Sequence, residues 1–318
     1  MALALVAVSC SSNDAADATT LPTQATTTSA PASTTTEAME SRFPVTIEAG
    51  NGAVTVEARP ERIVSISPTS TEVLFAIGAG DQVVAVDSLS NYPPEAPITE
   101  MSAWTPSIEA IAEYDPDLVF ISFDPGDLIA GLEALSIPVI LHGTALSLED
   151  AYTQWEQTGI ATGHTSEALD VVSDTQSRLV DAVESIANDA QGLTYYYELE
   201  DVLYTATSAS FIGQVIAPTG LSNIADEAPD PDGFGYPQLS QEFIVESDPT
   251  LILLADTICC GQSSETVAAR PGWGSMTAVT NGGVVELNDD IASRWSPRVV
   301  ELLDAIVEAL SSLVAVDG

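Results

Sequence analysis

Residues Ile63-Val-Ser-Ile-Ser-Pro-Thr-Ser-Thr-Glu-Val-Leu-Phe-Ala-Ile-Gly78 decide the fold of this chain. The β-branched residues at the start of the stretch predict a short strand. Ser67 and Pro68 follow it, and these are residue types that cap and open an α-helix, whereas Gly78 is the type that ends one. A strand that leads directly into a capped helix is the first step of an alternating α/β fold.

The alternation continues towards the C-terminus. In the first half, apolar runs predict strands at 83–86, 118–122 and 139–141, with helices at 106–114 and 128–135. Apolar residues then recur at helical spacing over residues 166–190 without proline or glycine, which predicts one long helix. In the second half, strands are predicted at 193–197, 251–254 and 284–287, and helices at 211–217, 266–269 and 297–313. The chain is therefore predicted to form two α/β halves with mainly parallel sheets and a single long helix between them.

The first 41 residues differ in composition from the rest. Residues 1–9 are almost wholly apolar and lead through Ala7-Val-Ser to Cys10, a pattern that resembles the lipobox of a bacterial lipoprotein. We expect residues 1–10 to be the remnant of a signal peptide, with Cys10 as the lipidated residue that anchors the protein to the membrane. Residues 11–41 are rich in Ser, Thr, Ala and Pro, which is typical of a disordered tether.

The charge balance is extreme. The 318 residues include 47 acidic side chains and only seven basic ones, all of them arginine, so that the formal net charge is −40. Such a surface repels phosphate backbones, which excludes nucleic-acid partners. The length suits two domains, and beyond the N-terminal run no stretch approaches the apolar length of a membrane-spanning helix.

Several short motifs occur in a fixed order over roughly residues 58–315. They are Arg59-Pro-Glu-Arg-Ile-Val-Ser-Ile-Ser-Pro-Thr-Ser-Thr-Glu72, Asn91-Tyr-Pro-Pro-Glu95, Tyr114-Asp-Pro-Asp-Leu-Val-Phe120, Gly235-Tyr-Pro-Gln-Leu-Ser240, Ala268-Ala-Arg-Pro-Gly-Trp273 and Ser296-Pro-Arg298. This ordered set closely resembles the iron-chelate and vitamin B12 solute-binding proteins of ABC importers. The resemblance implies two Rossmann-like lobes, residues 42–165 and 191–318, which one rigid helix at 166–190 joins. It also implies a ligand cleft between the lobes, small opening motions, and docking of both lobe tips on a permease dimer.

Candidate ligand-binding residues follow from the rule that ligands of open α/β sheets bind beyond the carboxyl ends of the strands. The loops at those positions contain Ser67, Trp104, Phe123, Tyr236, Arg294 and Trp295. Arg294 is the candidate to bind an anionic ligand through bidentate hydrogen bonds, whereas Arg298, at the start of the last helix, is expected to hold its lobe together.

The resemblance to the B12-binding proteins implies a ligand-binding role for the aromatic candidates. Trp104, Phe123 and Tyr236 fall where large aromatic rings grip a corrinoid in the B12-binding members of that family. Leu89 stands where those members have a tyrosine, so the aromatic cage is only partly reproduced. Stiff rings suit this task because they give a large contact area at a small cost in entropy.

Two glutamates are candidates for docking on the permease. In the family that this chain resembles, one glutamate at each lobe tip meets arginines of the permease. The motif positions that match are Glu109, in Ser107-Ile-Glu-Ala-Ile, and Glu242, in Pro237-Gln-Leu-Ser-Gln-Glu. Charge pairs at two separate tips fix the docking register and speed encounter more than they add affinity.

Cys259 and Cys260 are adjacent and follow the predicted strand at 251–254. An oxidising cell envelope favours a disulfide between them, although neighbouring Cα atoms are only ~3.8 Å apart and the ring would be strained. Free buried thiols and metal ligation by thiols stay open as alternatives. The chain has two histidines, which argues against a histidine-rich zinc or manganese site. We expect no metal site and no cofactor.

The leading hypothesis is a monomeric substrate-binding lipoprotein on the extracytoplasmic face of the cell membrane. It would capture a metal chelate, deliver it to an ABC importer and catalyse nothing. Ferric siderophore and cobalamin rank above haem, because neither His142 nor His164 falls in a predicted cleft loop. Two alternatives use the same scaffold: an extracellular α/β enzyme, which would need a nucleophile beside a base, and a surface lipoprotein that binds its ligand without a permease.

Overall fold

The computed structural model describes residues 42–186, 189–230 and 233–316. It opens with an antiparallel hairpin of β1 (Val45–Ala49) and β2 (Gly52–Val56). At the hairpin turn, Asn51 donates to the Val139 carbonyl at 2.9 Å and accepts from the Leu141 amide at 3.1 Å. The turn therefore satisfies backbone groups on an edge strand of the first sheet, where they would otherwise be open to pairing with another chain.

The first lobe is built on a parallel four-stranded sheet. Its strands are β3 (Ile63–Ile66), β4 (Val83–Val86), β5 (Leu118–Ile121) and β6 (Val139–Leu141), in the spatial order β4-β3-β5-β6. Its helices are α1 (Pro68–Ala76), α2 (Ile108–Ala112), α3 (Leu128–Glu133) and α4 (Leu148–Thr162). Every residue of β3 and β5 is buried, because helices cover both faces of a parallel sheet.

The long helix α5 (Thr165–Ile186) connects this lobe to the second. Its buried residues recur at three- and four-residue spacing and form one face of the helix. They are Ala168, Val172, Thr175, Leu179, Ala182 and Ile186. That face packs against α4 on one side and against the last helix of the chain on the other. The helix is therefore held along its length by both lobes.

The second lobe repeats the plan with the spatial order β10-β9-β7-β8. Its strands are β7 (Thr194–Glu198), β8 (Ser222–Asn223), β9 (Leu251–Leu254) and β10 (Val284–Glu286). Its helices are α6 (Phe211–Ile216), α7 (Gln241–Ser247), α8 (Thr257–Cys260), α9 (Ser264–Ala268), α10 (Thr277–Thr280), α11 (Asp289–Ser293) and α12 (Val299–Val316). Short 3₁₀ turns lie at Gly80–Gln82, Ala217–Thr219, Ile224–Glu227 and Trp273–Ser275.

The predicted fold class is confirmed: the chain is an α/β protein with two parallel-sheet lobes joined by one long helix. The hairpin β1–β2 and helix α4 were not predicted. The predicted lipidation site Cys10 and the predicted tether at 11–41 lie outside the described residues. None of the helices within the described ranges is both long and apolar enough to cross a membrane.

Candidate functional site

The carboxyl ends of the two sheets lie beside a junction between the lobes. Arg294, in the loop after α11, donates to Glu72 of α1 at 2.7 Å and to the side-chain oxygen of Asn91 at 3.1 Å. It also donates to the Leu89 carbonyl at 3.0 Å, and Asn91 donates to Asp290 of α11 at 2.8 Å. Leu89 and Asn91 follow the end of β4, and Arg294 follows the end of β10. Loops from the carboxyl edges of both sheets therefore meet at this junction.

Glu72 is the centre of the junction. Its side chain is 2% exposed, and it accepts hydrogen bonds from Arg294, from the Ser296 hydroxyl and, at 3.3 Å, from Arg298. The Arg298 guanidinium also lies 3.9 Å from the centre of the Tyr92 ring. We call Glu72, Arg294, Ser296 and Arg298 the junction cluster. Arg298, which the sequence assigned to its own lobe, in fact bonds across to the first lobe.

A second set of hydrogen bonds joins the lobes through α4. The Trp155 indole donates to the Trp295 carbonyl at 3.0 Å, and the Trp295 indole donates to Gln154 at 2.9 Å. Farther along, Gln214 of α6 donates to the Leu146 carbonyl at 2.7 Å. These contacts place Trp295 between the lobes, with its ring nitrogen already satisfied by the protein.

Three of the candidate ligand-binding residues thus have structural partners. Ser67 is 1% exposed and caps α1, its hydroxyl accepting from the Ser70 amide at 3.2 Å. Arg294 is 8% exposed, and its guanidinium bonds to Glu72 and Asp290. Trp295 is half-buried between the lobes. A direct contact of these three with a ligand stays a prediction.

The aromatic candidates are placed differently. Trp104 is 69% exposed, and its ring lies 5.3 Å from that of Phe123, centre to centre, at 41°. The two rings come from the loops that follow β4 and β5. The structure therefore brings Trp104 and Phe123 together as one apolar surface at the carboxyl edge of the first sheet.

Tyr236 lies on the loop that follows β8 and is 40% exposed. Its partial burial raises the pKa of its hydroxyl. Gly235 has a φ of +82° and accepts from the Thr207 amide at 2.8 Å. A Cβ at this glycine would lie 3.0 Å from the Thr207 hydroxyl oxygen and 3.1 Å from the Ser210 amide nitrogen. Glycine is thus required for the turn that places Tyr236.

Other large apolar side chains are exposed in loops of the same kind. Leu146 follows β6, Phe234 follows β8, and Ile258 follows β9. None of these three residues was among the candidates predicted from the sequence. For Leu146 and Ile258 the signal that could have found them is their position, because each is a large apolar residue in the loop that follows a predicted strand. Phe234 follows β8, which was not predicted.

Acidic groups crowd the carboxyl edge of the second sheet. Glu198, at the end of β7, is buried and forms a bidentate ion pair with Arg270, both hydrogen bonds being 2.6 Å. Asp256, just after β9, is also buried, and neither of its carboxyl oxygens has a hydrogen-bond partner. Burial, and then the charge of Glu198, raise the pKa of Asp256 to about 7. Cys259 and Cys260 follow on α8 and are joined as a disulfide.

The two docking candidates are exposed and occupy equivalent positions. Glu109 lies in the first turn of α2, and Glu242 lies in the first turn of α7. Hydrogen bonds from its own backbone amide and from Ser107 lower the pKa of Glu109. Each carboxylate therefore stands at the N-terminus of a short helix, one on each lobe, where a negative charge is favoured.

The histidines do not form a reactive pair. His142 is buried and bonds to Gln157 at 3.1 Å, and His164 lies 2.9 Å from Arg59. Within the described ranges, no group of three or more His, Cys, Asp or Glu is arranged to hold a metal ion. A surface depression between Val56, Asp117 and Ile137 lies at the amino ends of β5 and β6, away from the loops described above.

Comparison with known proteins adds an independent finding. Residues 63–291 match the model of a family described as periplasmic binding protein. An ABC transporter substrate-binding lipoprotein of Bacillus subtilis is 29% identical over 84% of this chain and 86% of its own length. A cobalamin-binding protein of Halobacterium salinarum is 30% identical over 84% of this chain and 74% of its own. The crystal structure of the periplasmic vitamin B12 binding protein of Vibrio cholerae is 26% identical, with a TM-score of 0.62 over 80% of this chain and 98% of that one.

Proposed function

Because this chain belongs to the periplasmic binding protein family, we propose that it is the substrate-binding protein of an ABC importer and that its cargo is a metal chelate of the corrinoid class. The observation that carries the proposal is the set of exposed apolar side chains in the carboxyl-end loops of both sheets. Its exposed aromatic members are Trp104, Phe234 and Tyr236, and the half-buried Phe123 packs against Trp104. Exposed apolar patches of this kind are a feature of ligand-binding clefts.

Charge favours a corrinoid over an anionic ferric siderophore. Arg294 was the candidate for binding an anion, but Glu72 and Asp290 already neutralise its charge. The chain as a whole carries a formal charge of −40, which repels anionic ligands. The names of two of the relatives, which bind cobalamin or vitamin B12, support the same choice. A haem ligand finds less support, since His142 and His164 are occupied as described.

The remaining parts of the proposal concern the cell. We infer that the protein acts outside the cytoplasmic membrane as a monomer and that acylation of Cys10 anchors it, with residues 11–41 as the tether. Glu109 and Glu242 would meet the permease, one from each lobe. The Bacillus relative bears the name lipoprotein, which supports the anchor. An enzyme on this scaffold is the second candidate, and the separate engagements of His142 and His164 weigh against it.

The test is calorimetric titration of the full chain carrying Cys10→Ser with cyanocobalamin, a ferric tris-catecholate siderophore and haemin. We expect micromolar or tighter binding of cyanocobalamin, and Trp104→Ala should weaken it about tenfold or more, because a large ring loses its contact area. Leu135→Ala is the matched control, since Leu135 is also exposed but follows α3. If none of the three chelates binds, the proposed cargo is wrong, although the family assignment stands.

A further inference from the structure

Helix α8 presents an unusual surface. Ile258 is 65% exposed, and both sulfur-bearing residues of the disulfide are exposed as well. None of the four residues of this helix is buried. Isoleucine and cysteine are among the residue types most often buried, so a helix that points all of them outward contributes nothing to the core. We call Ile258, Cys259 and Cys260 the disulfide platform.

The platform is nevertheless held firmly, and polar contacts hold it. Asp289 of α11 accepts from the backbone amides of Thr257 at 2.8 Å, Ile258 at 3.0 Å and Cys259 at 2.6 Å. The Thr257 hydroxyl donates to the Leu287 carbonyl at 2.6 Å. One carboxylate thus satisfies the free amides at the start of the helix, and the apolar side chains remain turned away from the protein.

The position of the platform connects it with the lobe junction. It follows β9, an inner strand of the second sheet, at the carboxyl edge. Asp289, which holds it, is adjacent in sequence to Asp290, which pairs with Arg294 of the same lobe and accepts a hydrogen bond from Asn91 across the junction. On the first-lobe side of the same network, Arg294 bonds to the Leu89 carbonyl, and the Leu89 side chain is exposed. Apolar groups of both lobes therefore flank the junction.

We propose that the disulfide platform is the surface with which the second lobe contacts the apolar face of the bound chelate, and that this contact depends on the intact disulfide. The proposal rests on the proposed function and deepens it. Sulfur is polarisable and makes favourable contacts with flat conjugated rings. Side chains of the first lobe, Trp104 and Phe123 among them, would contact the same ligand.

Reduction of the disulfide between Cys259 and Cys260 would control this contact. A dithiol attacks one of the two sulfurs, forms a mixed disulfide, and then closes on itself to a cyclic disulfide, which leaves Cys259 and Cys260 as two thiols. Two electrons and two protons pass from the dithiol to the protein. The reduced pair loses the bond that fixes the two side chains together, and its thiols are polar and ionisable, so the surface is less suited to an apolar ring.

The experiment uses the full chain with Cys10→Ser, in which Cys259 and Cys260 are the remaining cysteines. The protein is reduced with dithiothreitol, desalted without oxygen, and titrated with cyanocobalamin, while alkylation and mass measurement count the free thiols. We expect two thiols after reduction, none before, and about a tenfold loss of affinity. The Cys259→Ser/Cys260→Ser variant should bind as weakly as the reduced protein and should not respond to reduction.

Ile258→Ser provides a second variant that leaves the disulfide in place. Its matched control is Val180→Ser, because Val180 is also β-branched and exposed but lies on α5. We expect Ile258→Ser to weaken cyanocobalamin binding about tenfold and Val180→Ser to leave it unchanged. Full binding by the reduced protein and by Ile258→Ser, while Trp104→Ala still weakens it, would overturn the platform alone. Absence of any binding by the unmodified protein would instead overturn the proposed cargo, and the platform with it.

Discussion

His142 is a buried base that the fold keeps neutral. It lies just beyond β6, 5.7 Å from the Phe120 ring, and bonds to Gln157. Burial lowers its pKa to about 4, well below the ordinary value of about 6.5. Between these two values the unfolded chain binds more protons than the folded one, so the free energy of unfolding falls as the pH drops from 6.5 to 4.

We therefore expect His142→Phe to remove this contribution to the pH dependence of stability. The wild-type protein should lose up to about 3 kcal/mol between the two pH values through this residue, and the variant should not. Denaturant unfolding at a series of pH values measures the difference. Equal slopes in the two proteins would show that His142 is not the titrating group.

Asp256 acts in the opposite direction. Its pKa is raised to about 7, and the groups around it are Glu198, Arg270 and Asp289. The folded protein therefore holds a proton that the unfolded chain has already lost, and this contribution to stability disappears as the pH rises from about 4 towards 7 and beyond. Because the rise in the pKa of Asp256, from 3.8 to about 7, is at least as large as the fall in that of His142, from 6.5 to about 4, the two contributions largely cancel in the wild-type protein over this range.

Asp256→Asn should separate the two effects, because the amide has the same shape and no charge to desolvate. We expect the variant to be more stable than the wild-type protein at pH 8, by about 5 °C in melting temperature, and equal to it near pH 4. Thermal unfolding followed by circular dichroism at both pH values provides the measurement. A variant that is less stable at pH 8 would contradict the raised pKa.

At the scale of elements, the crossing of α4 and α5 depends on one close approach. A Cβ at Gly159 would lie 2.4 Å from the Ala168 Cβ and 2.9 Å from the His164 carbonyl oxygen. Alanine normally favours a helix over glycine by about 1 kcal/mol, but here it would force the two helices apart.

The prediction is that Gly159→Ala destabilises the protein by about 2 kcal/mol despite the better helix propensity. Gly143→Ala is the control, because a Cβ there meets nothing within 4 Å and the backbone is not in the left-handed region. Chemical denaturation of the two variants measures both effects. A stabilised Gly159→Ala would mean that α4 and α5 can separate without cost.

The elements that the sequence predicted best are those in which local pattern and burial agree. Strands at 83–86, 139–141 and 251–254 have the predicted bounds, since each is a short apolar run between polar segments. The hairpin β1–β2 was missed although Thr46, Glu48 and Thr55 alternate with apolar residues around Asn51-Gly52, a recognised turn signal. Helix α4 was missed because it contains Gly159, a residue type that disfavours a helix. The close contact with α5 that requires glycine at this position is not visible in the sequence.

Candidate site residues could be predicted from the sequence where they lie in loops just beyond predicted strands. Trp104 and Phe123 were chosen from loops that follow predicted strands, whereas no strand was predicted before Tyr236, which was chosen through the motif Gly235-Tyr-Pro-Gln-Leu-Ser240. The sequence could not reveal that Arg294 pairs with Glu72, because 222 residues separate them in the chain. The predicted strand at 251–254 marks the loop of Ile258, but the sequence could not show that its side chain is exposed, because that exposure results from hydrogen bonds that Asp289 accepts from α8.

At the scale of the whole molecule, the junction cluster sets how the lobes are held. Glu72 is a buried carboxylate that depends on two arginines of the other lobe. Glu72→Gln leaves Arg294 and Arg298 without their shared partner, and breaking a buried pair in this way costs about 3–5 kcal/mol. We expect a loss of that size in denaturant unfolding, whereas Arg178→Gln, which breaks the exposed pair with Asp304, should cost at most about 0.5 kcal/mol. Similar losses in both variants would contradict this role of the cluster.

The proposed docking on a permease would involve both lobes at once, so its test must change both. Reversing the charge of Glu109 and Glu242 to arginine leaves the exposed loops at the carboxyl ends of both sheets intact and should leave the affinity for cyanocobalamin unchanged. Glu133→Arg with Glu308→Arg is the control, because both of these glutamates are exposed and the change in net charge is the same.

In cells that depend on this importer for cobalamin, we expect the docking variant to lower uptake at least about tenfold and the control to retain it, since a reversed charge repels the permease as well as losing a contact. Raising the ionic strength should reduce the difference, because salt screens exposed charges. Normal uptake by the docking variant would instead favour a surface protein that binds its ligand without a permease.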